Sequence, residues 1–508
     1  MDIIWEEKGR PEQRGQEEGE SLWVQNNPMR KRSKPQEDME VEVAVIGAGL
    51  AGVLTAYHIK EEGIEVAVLE ANTIGGGITK NTTAKISSQH GLIYRKLLLY
   101  SGEEKARLYA EANQHAIESY KEIINKHKID CDYETLPSYI YSRNSIAKIY
   151  KEVEAAKKLG LPARFTRDTA LPFKIEGAIR FDNQAQFHPI KFLNAISKNI
   201  NIYENTRVTR IYNNGLIETE KGRVKAEKII IASHYPFINR PGYYFLKLHQ
   251  ERAYLAALSG QQKDMPQLKG MYLDEDKKGY TFRSYKNMLI FGGAYHRTGK
   301  YQPLDAYVKL ENAAKRWFPN TKLVYKWSTQ DCMTPDSLPY IGLYSSKTPN
   351  IFVATGFNKW GMTGSMVAAN MLKDMVVGIK NPYQKIYNPQ RFMPLSCKEF
   401  VKDAAIVTVS LLAQGLKIPH DCLEKINKGE AGVIRYQGQR IGVYRESNDK
   451  YYYVSTKCPH LGCKLEWNQN EKTWDCPCHG SRFDYKGKLI NNPATRNAFE
   501  CHVKKRKN

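Results

Sequence analysis

The pattern of apolar and polar residues just after position 40 predicts a strand, a helix and a second strand. Residues 41–46 (VEVAVI) are mostly β-branched and apolar, as in a buried parallel strand. Residues 50–59 carry apolar side chains at helical spacing, and Gly63 ends that helix. Residues 65–70 (EVAVLE) predict the second strand. This order indicates an α/β domain built on a parallel sheet.

Alternation of apolar and polar residues in two later regions is typical of antiparallel strands. Residues 279–285 and 288–293 alternate in this way, and we expect an antiparallel sheet with helical inserts over 135–200 and 240–330. Residues 431–456 alternate again and predict a small all-β domain.

A capping box, in which Ser101 stands three residues before Glu104, predicts the start of a long helix. Apolar residues at helical spacing continue to about Asn125, so we expect an amphipathic helix that buries one face.

Composition narrows the class of protein. The 508 residues are 42% hydrophobic with a mean hydropathy of −0.56, and no apolar run reaches the roughly 18 residues of a membrane span. The N-terminus lacks a secretory signal, and nine cysteines are few for this length, so we expect a cytosolic protein.

The chain has a net charge of +22 but contains no nucleic-acid-binding motif. This charge indicates a solvated surface or docking to an acidic redox partner.

Three glycines follow the first strand in the spacing of a dinucleotide-binding turn. Gly47, Gly49 and Gly52 form G-x-G-x-x-G between the strand and the helix. Such glycines allow a tight turn, close approach of a pyrophosphate and close helix–strand packing. Glu70 ends the second strand, where a carboxylate can accept hydrogen bonds from ribose hydroxyls. The arrangement predicts a bound dinucleotide; the alternative is a glycine-rich turn that binds nothing.

Two cysteine loops near the C-terminus predict an iron–sulfur cluster. They are CPHLGC at 458–463 and CPCHGS at 476–481, and each offers a thiolate and an imidazole. A Rieske [2Fe–2S] centre takes two Cys on one iron and two His on the other. That rule assigns one iron to Cys458 and Cys476 and the second iron to His460 and His479. A Cys2His2 zinc site uses the same ligand types, but the additional cysteine in each loop favours the Rieske centre.

The sequence CPHLGC…CPCHGSRFD resembles the Rieske proteins of the respiratory and photosynthetic cytochrome bc complexes. The resemblance implies a disulfide between Cys463 and Cys478 that ties the two loops over the cluster. In those proteins a serine and a tyrosine hydroxyl in this region raise the reduction potential. Ser481 matches the serine, but Phe483 stands where the tyrosine would be, so we predict a lower potential here.

A second glycine-rich turn from strand to helix lies late in the chain. Residues 350–354 predict a strand, and residues 361–364 (GMTG) open a helix. With the first fingerprint, residues 41–380 resemble the D-amino acid oxidase/glycine oxidase superfamily of FAD-dependent oxidoreductases. Residues 228–233 match a further strand of its flavin domain. The resemblance implies that FAD is bound by Gly47, Gly49, Gly52, Glu70, Val208 (through its backbone, at the adenine), Gly356, Gly361, Met362 and Thr363.

Residues 82–92 (TTAKISSQHGL) resemble a bacterial subgroup in which this FAD domain is fused to a Rieske domain. The expected fold is α/β plus all-β: a Rossmann-like FAD-binding domain with an antiparallel-sheet substrate domain, followed by a small β Rieske domain. The expected boundaries are a mostly flexible extension over 1–40, part of which Trp23 is expected to anchor, the oxidoreductase domain over 41–381, a linker over 382–420 and the Rieske domain over 421–508. Within 41–381, FAD-binding parts are 41–100, 200–239 and 331–381, and substrate-binding parts are 135–200 and 240–330.

The two cofactors together predict an electron relay. A flavin takes two electrons from a substrate, whereas a [2Fe–2S] centre carries one, and histidine ligation raises its potential. We expect a dehydrogenase that oxidises a small amine or amino acid and passes electrons through the cluster to an external acceptor, an acidic redox protein or a quinone. The alternatives are an electron-transfer reductase that delivers electrons through the Rieske centre to a partner, and a non-catalytic redox sensor. The isolated histidines of the FAD region offer no mononuclear iron site, so we expect no Rieske oxygenase.

The catalytic residues are the least determined part of the sequence. A carboxylate-binding arginine near the flavin is a family expectation, and Arg252, Arg283 and Arg297 are candidates on or beside the substrate sheet. His90, in the loop near the flavin, is a candidate for catalysis. Tyr254, Tyr295 and His296 are candidates for orienting a ligand. For each arginine and tyrosine, an ordinary structural role is the competing interpretation.

Overall fold

Four β-sheets form the framework of the residues that the structure describes. A computed structural model describes residues 2–6, 19–25, 27, 38–261, 265, 268–276, 278–300, 303–391, 405, 423–436, 438–498 and 500–504. Within these residues the helices are α1 (Leu50–Glu61), α2 (Ile93–Ser101), α3 (Glu103–Lys126), α4 (Ile146–Lys158), α5 (Pro189–Ile196), α6 (Ala306–Trp317), α7 (Gly361–Val376) and α8 (Gln384–Tyr387).

The strands are numbered in chain order. They are β1 (Asp2–Glu6), β2 (Asp38–Ile46), β3 (Val66–Leu69), β4 (Lys85–Ile86), β5 (Glu134–Ser142), β6 (Ala163–Thr166), β7 (Gly177–Gln186), β8 (Asn201–Tyr203), β9 (Val208–Ile211), β10 (Leu216–Thr219), β11 (Arg223–Ile231), β12 (His249–Ser259), β13 (Met271–Asp274), β14 (Thr281–Tyr285), β15 (Met288–Arg297), β16 (Lys322–Met333), β17 (Tyr340–Leu343), β18 (Ile351–Thr355), β19 (Ala431–Tyr436), β20 (Gln439–Arg445), β21 (Tyr451–Ser455), β22 (Glu466–Asn468), β23 (Thr473–Asp475), β24 (Arg482–Asp484), β25 (Leu489–Asn491) and β26 (Glu500–Lys504).

The first sheet is the parallel sheet that the N-terminal pattern predicts. Its order is β17–β18–β11–β2–β3–β8; β17 is antiparallel to β18, and the other neighbours are parallel. Successive residues of β2 point into two different cores. Val43 and Val45 pack in the core that also contains α1 and α7, and Ala44 and Ile46 pack in the core on the opposite face. Both faces are therefore buried, which explains the continuous apolar run of this strand.

The second sheet lies between the parallel sheet and α6. Its order is β16–β12–β15–β14–β13–β5–β7–β4, with β6 paired to β7, and it is antiparallel except where β13 meets β5. Leu255 and Ile290 face the core shared with α7, whereas Phe282 and Phe291 face the core shared with Leu310 of α6. The antiparallel sheet predicted for the middle of the chain is therefore present, and one of its faces is turned towards the nucleotide-binding elements.

Two small sheets make up the C-terminal β domain. Their orders are β1–β26–β21–β20–β19 and β22–β23–β24–β25. Cys458, Cys476 and Phe483 lie in the core of this domain, so its interior is built around the cysteine loops.

The described residues of the N-terminal stretch contact the rest of the protein at two places, one of them the expected anchor Trp23. Residues 2–6 form β1, which pairs antiparallel with β26 of the C-terminal β domain. Trp23 is 0% exposed, donates from Nε1 to the Thr82 carbonyl at 2.8 Å and packs edge-on against Tyr285. The buried ring and its satisfied N–H hold this segment against the antiparallel sheet.

The predicted capping box at Ser101 is wrong, although the helix that follows it exists. Ser101 is the last residue of α2, and Gly102, with φ +81°, is the residue that caps α3. A glycine in this left-handed region turns the chain directly from one helix into the next. The Ser101 hydroxyl consequently makes no capping bond to α3.

The expected linker over 382–420 lies mostly outside the described residues. Its described beginning contains α8 and ends at Arg391, which is bound bidentately to Asp336 at 2.7 and 2.9 Å. Among the helices of the described residues, none combines the length and apolarity that a membrane crossing requires.

Candidate cofactor sites and their interface

The turn between β2 and α1 has the close packing that a dinucleotide site requires. Gly47 adopts φ +107°, and a side chain there would lie 2.6 Å from the Ala232 carbonyl. A side chain at Gly52 would lie 1.9 Å from the Gly47 carbonyl oxygen. At Gly49, by contrast, the nearest atom to an added Cβ would be Thr79 Oγ1 at 3.5 Å. The backbone is thus open where a pyrophosphate would approach the N-terminus of α1, and the residues present fit FAD.

Glu70 and Val208 border the same end of the parallel sheet. The Glu70 carboxylate accepts from the backbone N–H of Ala48 and of Asn72, both at 2.8 Å. Burial raises the pKa of Glu70, although both hydrogen bonds oppose this effect. The N–H of Thr206 donates to the Glu70 carbonyl at 2.7 Å, which brings the start of β9, at Val208, beside it. The adenosine end of the site is expected at these positions.

The second glycine-rich turn meets the loop that follows β3. Gly356 adopts φ +72°, and α7 begins at Gly361. Thr363 Oγ1 donates to the Ser87 carbonyl at 2.8 Å and accepts from the Ser87 N–H at 2.9 Å. The carbonyl of Met362 accepts from Tyr120 at 2.8 Å. These bonds fix the N-terminus of α7 against residues 84–90, where the flavin ring is expected.

His90 is held on both ring nitrogens. Nδ1 lies 2.5 Å from the Tyr109 hydroxyl and Nε2 lies 2.6 Å from the Ser87 carbonyl, while the ring stacks on Trp360 at 4.7 Å. Burial lowers the pKa of His90 to about 3, so the imidazole is neutral. These contacts give His90 a positioning role in the loop.

A narrow cavity beside this loop contains a buried cation. It is lined by Lys85, Ser87, Gln89, Ser138, Met271 and Trp360. Lys85 Nζ donates to the Tyr272 carbonyl at 2.8 Å and also to Thr281. Burial, with a smaller contribution from the nearby Arg283 charge, lowers the pKa of Lys85 to about 7.

Arg283 is the second buried cation of this region. It is 0% exposed, and within the described part of the chain its three guanidinium nitrogens have no hydrogen-bond partner. The guanidinium lies 5.1 Å from the Trp23 ring and 5.5 Å from the Tyr285 ring. Burial lowers the pKa of Arg283 to about 9. A buried cation with unsatisfied donors is suited to an anionic group.

The two cysteine loops share one backbone geometry. In the first, the Gly462 N–H donates to the Cys458 carbonyl at 2.9 Å; in the second, the Gly480 N–H donates to the Cys476 carbonyl at 2.9 Å. Both glycines adopt φ +82°. Each loop therefore folds back on its first cysteine and presents one histidine on the same side.

The side chains of these loops fit a Rieske cluster. The imidazoles of His460 and His479 are perpendicular, with centroids 4.9 Å apart. Nδ1 of His460 is buried and makes no hydrogen bond to any residue that the structure describes. A hydrogen bond between the thiols of Cys458 and Cys476 lowers the pKa of Cys476, which places these two sulfurs together. The two thiols thus lie together and the two imidazoles lie together, which fits a [2Fe–2S] centre with two Cys on one iron and two His on the other.

A disulfide joins the loops, as the resemblance implies. Cys463 and Cys478 are bonded, with their Cα atoms 6.5 Å apart. The Ser481 hydroxyl accepts from the Ala494 N–H at 2.9 Å beside the second loop. Phe483 is 0% exposed and packs in the core with Cys458 and Cys476, so an apolar ring occupies the position expected for a tyrosine.

The second cysteine loop is docked on the antiparallel sheet. Gln250 of β12 donates from Nε2 to the His479 carbonyl at 2.7 Å, and Gln330 of β16 donates to the Gly480 carbonyl at 2.8 Å. Gln330 also donates to Gln250 Oε1 at 2.7 Å, so the two amides form one network. A side chain at Gly480 would lie 2.6 Å from Gln250 Cβ. Such close contact leaves no gap between the loop and the sheet.

Two of the arginines expected at a substrate carboxylate instead hold this interface. Arg297 donates to the carbonyls of Pro477 and Cys478, at 3.2 and 3.1 Å. Arg252, 1% exposed, forms an ion pair with Glu471 at 3.0 Å. Arg297 is thus bound to the C-terminal β domain, and Arg252 is bound to Glu471 of that domain and to Ser328 and Gln330 of the sheet. These contacts favour the structural interpretation of both arginines over substrate binding.

The aromatic candidates of the same sheet, Tyr254, Tyr295 and His296, also contact other side chains of the protein. Tyr254 accepts from Asn468 of the C-terminal β domain at 3.3 Å and stacks on His296 at 5.7 Å. Tyr295 lies under the Lys359 ammonium at 4.3 Å. Of the three candidate arginines, Arg283 is the one whose charge acts on Lys85, which lines the cavity.

The histidine side of the cysteine loops faces residues 239–245. His460 Nε2 lies 2.8 Å from Asn239 Oδ1. The Phe245 ring lies 6.5 Å from that of His460 and 6.1 Å from that of His479. Asn492 adds hydrogen bonds to the carbonyls of Ser233 and Tyr235, at 2.9 and 2.7 Å.

Sequence reasoning missed the residues that join the two domains. Gln250, Gln330, Asn239 and Asn492 belong to no motif, because their role arises only when distant segments meet. Lys85 lies within the TTAKISSQHGL segment, so its position was marked by the resemblance although its burial was not.

Comparison with known families agrees with this architecture. Residues 42–375 match the family described as FAD dependent oxidoreductase, and residues 419–505 match the Rieske [2Fe-2S] domain. The chain therefore belongs to the FAD-dependent oxidoreductase family and carries a C-terminal Rieske domain. It is an oxidoreductase with two cofactors, FAD and a [2Fe–2S] cluster.

Individual relatives cover the whole chain or its FAD part. The Bacillus subtilis (strain 168) protein YhfW, whose name describes a Rieske 2Fe-2S iron-sulfur protein, is 36% identical over 94% of this chain and 96% of its own length. Gamma-glutamylputrescine oxidoreductase of Escherichia coli (strain K12) is 24% identical over 67% of this chain and 85% of its own. The structure of glycine oxidase from Geobacillus kaustophilus superposes with a TM-score of 0.59 at 18% identity, covering 70% of this chain and 99% of that one. This last match concerns the fold.

Proposed function

We propose that this protein oxidises a small amine or amino acid and passes the electrons one at a time, within the chain, to its Rieske cluster and on to an external acceptor. The observation that carries this proposal is the docking of the second cysteine loop on the FAD-dependent oxidoreductase domain. Side chains from β12, β15 and β16 bind four consecutive carbonyls of that loop, from Pro477 to Gly480. A cluster held against the flavin domain is suited to accept electrons from it.

The residues proposed to hold the cofactors are those whose geometry fits them. For the cluster they are Cys458, His460, Cys476 and His479; for FAD they are Gly47, Gly49, Gly52, Glu70, Val208, Gly356, Gly361, Met362 and Thr363. When bound, FAD accepts two electrons from a substrate as a hydride, whereas the cluster carries one electron. The contacts between the second cysteine loop and the antiparallel sheet hold the two cofactor-binding domains together.

The substrate side of the proposal rests on Arg283 and Lys85. Lys85 lines the cavity together with Trp360, the residue before α7, and the charge of the buried Arg283 acts on Lys85. Arg283 has donors without partners among the described residues. We assign the carboxylate of an amino-acid substrate to Arg283. With its pKa lowered to about 7, Lys85 can take a proton from a substrate ammonium group near neutral pH. Gamma-glutamylputrescine oxidoreductase and glycine oxidase are named for substrates of this general kind.

Anaerobic stopped-flow mixing with pairs of amino acids and the corresponding decarboxylated amines tests the proposal. We expect flavin bleaching followed by reduction of the cluster, seen as its electron paramagnetic resonance signal. Flavin bleaching without cluster reduction would refute the relay. Failure of every amine and amino acid to bleach the flavin would refute the substrate class.

Arg283→Met separates the carboxylate role from folding. It should raise KM for the preferred amino acid at least tenfold and leave KM for the matching amine nearly unchanged, because only the acid uses the guanidinium. Arg283→Lys, which keeps the charge, is the matched control and should recover part of the affinity. Equal losses for acid and amine would assign Arg283 a structural role.

A further inference from the structure

The two proposed histidine ligands differ in their access to solvent. His479 is 2% exposed, and its carbonyl is bound by Gln250 of the FAD-dependent oxidoreductase domain at 2.7 Å. His460 is only half-buried, and its Nε2 reaches Asn239 in a surface loop at 2.8 Å. One histidine is thus enclosed at the domain interface, and the other lies at the edge of the molecule.

Exposed apolar side chains lie in the two segments that meet at His460. Leu461, the next residue in the chain, is 41% exposed. On the facing loop Tyr243 is 42% and Leu246 is 50% exposed, and the partly buried Phe245 ring contacts that of His460. We call Tyr243, Phe245, Leu246 and Leu461 the collar. Clustered exposed apolar residues of this kind mark interaction surfaces.

Basic side chains flank the collar. Arg240 follows Asn239 in the chain and is exposed, and Lys457 precedes Cys458 and is exposed as well. The whole chain carries a net charge of +22. Positive charge beside an apolar patch attracts an acidic partner and orients it during encounter.

We propose that the collar is the docking surface for an acidic one-electron carrier protein, which receives electrons at the His460 edge. This inference rests on the proposed relay, and it adds the site and the kind of acceptor. In each transfer the carrier gains one electron and this protein loses one; no bond forms or breaks. A neutral quinone would gain nothing from Arg240 and Lys457, so the charge favours a protein.

Binding to two carriers of opposite charge tests the surface with the complete protein. Plastocyanin is an acidic one-electron copper protein, and mitochondrial cytochrome c is a basic one-electron haem protein. Calorimetric titration at low salt should show plastocyanin binding at least tenfold more tightly than cytochrome c, and 0.5 M salt should remove the difference. Equal binding of the two carriers, or none of either, would overturn the proposal.

Matched variants locate the surface. Lys457→Glu should weaken plastocyanin binding about tenfold, whereas Lys121→Glu, an exposed charge reversal on α3, should leave it unchanged. Leu461→Ser should also weaken it, whereas Leu99→Ser, at a position 63% exposed on α2, should not. An unaltered cluster resonance signal in Leu461→Ser shows that the loop has kept its cluster. Equal effects of collar and control variants would reject the collar as the site.

The result of the carrier-binding titration does not depend on the substrate reaction, because binding of the carrier needs no flavin reduction. If the wild-type protein does not bind plastocyanin but still transfers electrons from flavin to cluster, the proposed function stands and the docking surface is refuted. Oxidation of the reduced cluster by a soluble quinone, at a rate unaffected by Lys457→Glu and Leu461→Ser, would replace the carrier protein with a quinone acceptor at another place.

Discussion

The ion pair between Arg252 and Glu471 provides a direct test of how the Rieske domain is held. Arg252 is 1% exposed and binds Glu471 at 3.0 Å, with further contacts to Ser328 and Gln330. Burial alone would raise the pKa of Glu471, but the charges of Arg252 and Arg482 outweigh it and lower that pKa. Arg252→Met removes one of these charges and leaves the carboxylate inside the interface.

The free energy that Arg252→Met costs the docked state follows from the surroundings of Glu471. Removing one member of a buried ion pair costs roughly 3–5 kcal/mol, because the other charge is left without compensation. Arg482 remains 3.6 Å from Glu471, and Tyr307 still donates to it, so we expect the lower limit, about 3 kcal/mol. That change corresponds to about a 100-fold increase in the population of the undocked state.

Amide hydrogen exchange at Ala306 measures this population. The Ala306 N–H donates across the interface to Asn470 Oδ1 at 2.8 Å, and the residue is 0% exposed. Its exchange should accelerate about 100-fold in Arg252→Met. Lys385→Met is the matched control, because its pair with Glu104 is 62% and 71% exposed and contributes little. Acceleration below fivefold in Arg252→Met would show that the ion pair does not hold the domains together.

Three further perturbations test separate features. Phe483→Tyr places a hydroxyl beside the cluster; one hydrogen bond of about 1 kcal/mol corresponds to an increase of about 40 mV in a one-electron potential, measured by redox titration, and no increase would contradict the proposed role of this position. For Lys85, burial lowers the pKa from 10.5 to about 7, so the unfolded chain binds more protons between these values and stability rises with pH across that window. The free energy of unfolding measured from pH 7 to 10 should show this rise in the wild type and a smaller one in Lys85→Met; identical slopes would argue against a buried amine. Trp23→Ala should cost about 3–5 kcal/mol in chemical unfolding, because a fully buried ring is removed, whereas a loss below 1 kcal/mol would place the N-terminal segment outside the folded unit.

Short-range spacing carried most of what the sequence predicts. The Gly47–Gly52 turn, the strand before it and the helix after it lie within a few dozen residues, and at Gly47 and Gly52 the structure shows a steric reason for glycine. The two cysteine loops are equally local, since each folds back on its own first cysteine. Where a residue type and its neighbours suffice, prediction and structure agree.

Features that depend on distant segments were not predictable in this way. Arg252 and Arg297 were recognised as cations near the substrate sheet, but the sequence does not show which face of a strand meets another domain. The Gln250–Gln330 network exists only because β12 and β16 pair and the second cysteine loop lies over them. Ser101 is a local exception. The sequence has a good capping pattern there, but α2 extends to Ser101 and Gly102, with left-handed backbone, caps α3 instead.

The pairing of β1 with β26 also sets an order of events during synthesis. Strand β1 ends at Glu6 and its neighbour β26 begins at Glu500, so β1 is synthesised long before the strand that pairs with it. At about 5–20 residues per second, the delay is roughly 25–100 s. During that time the nucleotide-binding domain can fold and the Trp23 segment can settle against it. The edge of the Rieske sheet is therefore completed only after β26 has been synthesised, several hundred residues after the strand that pairs with it.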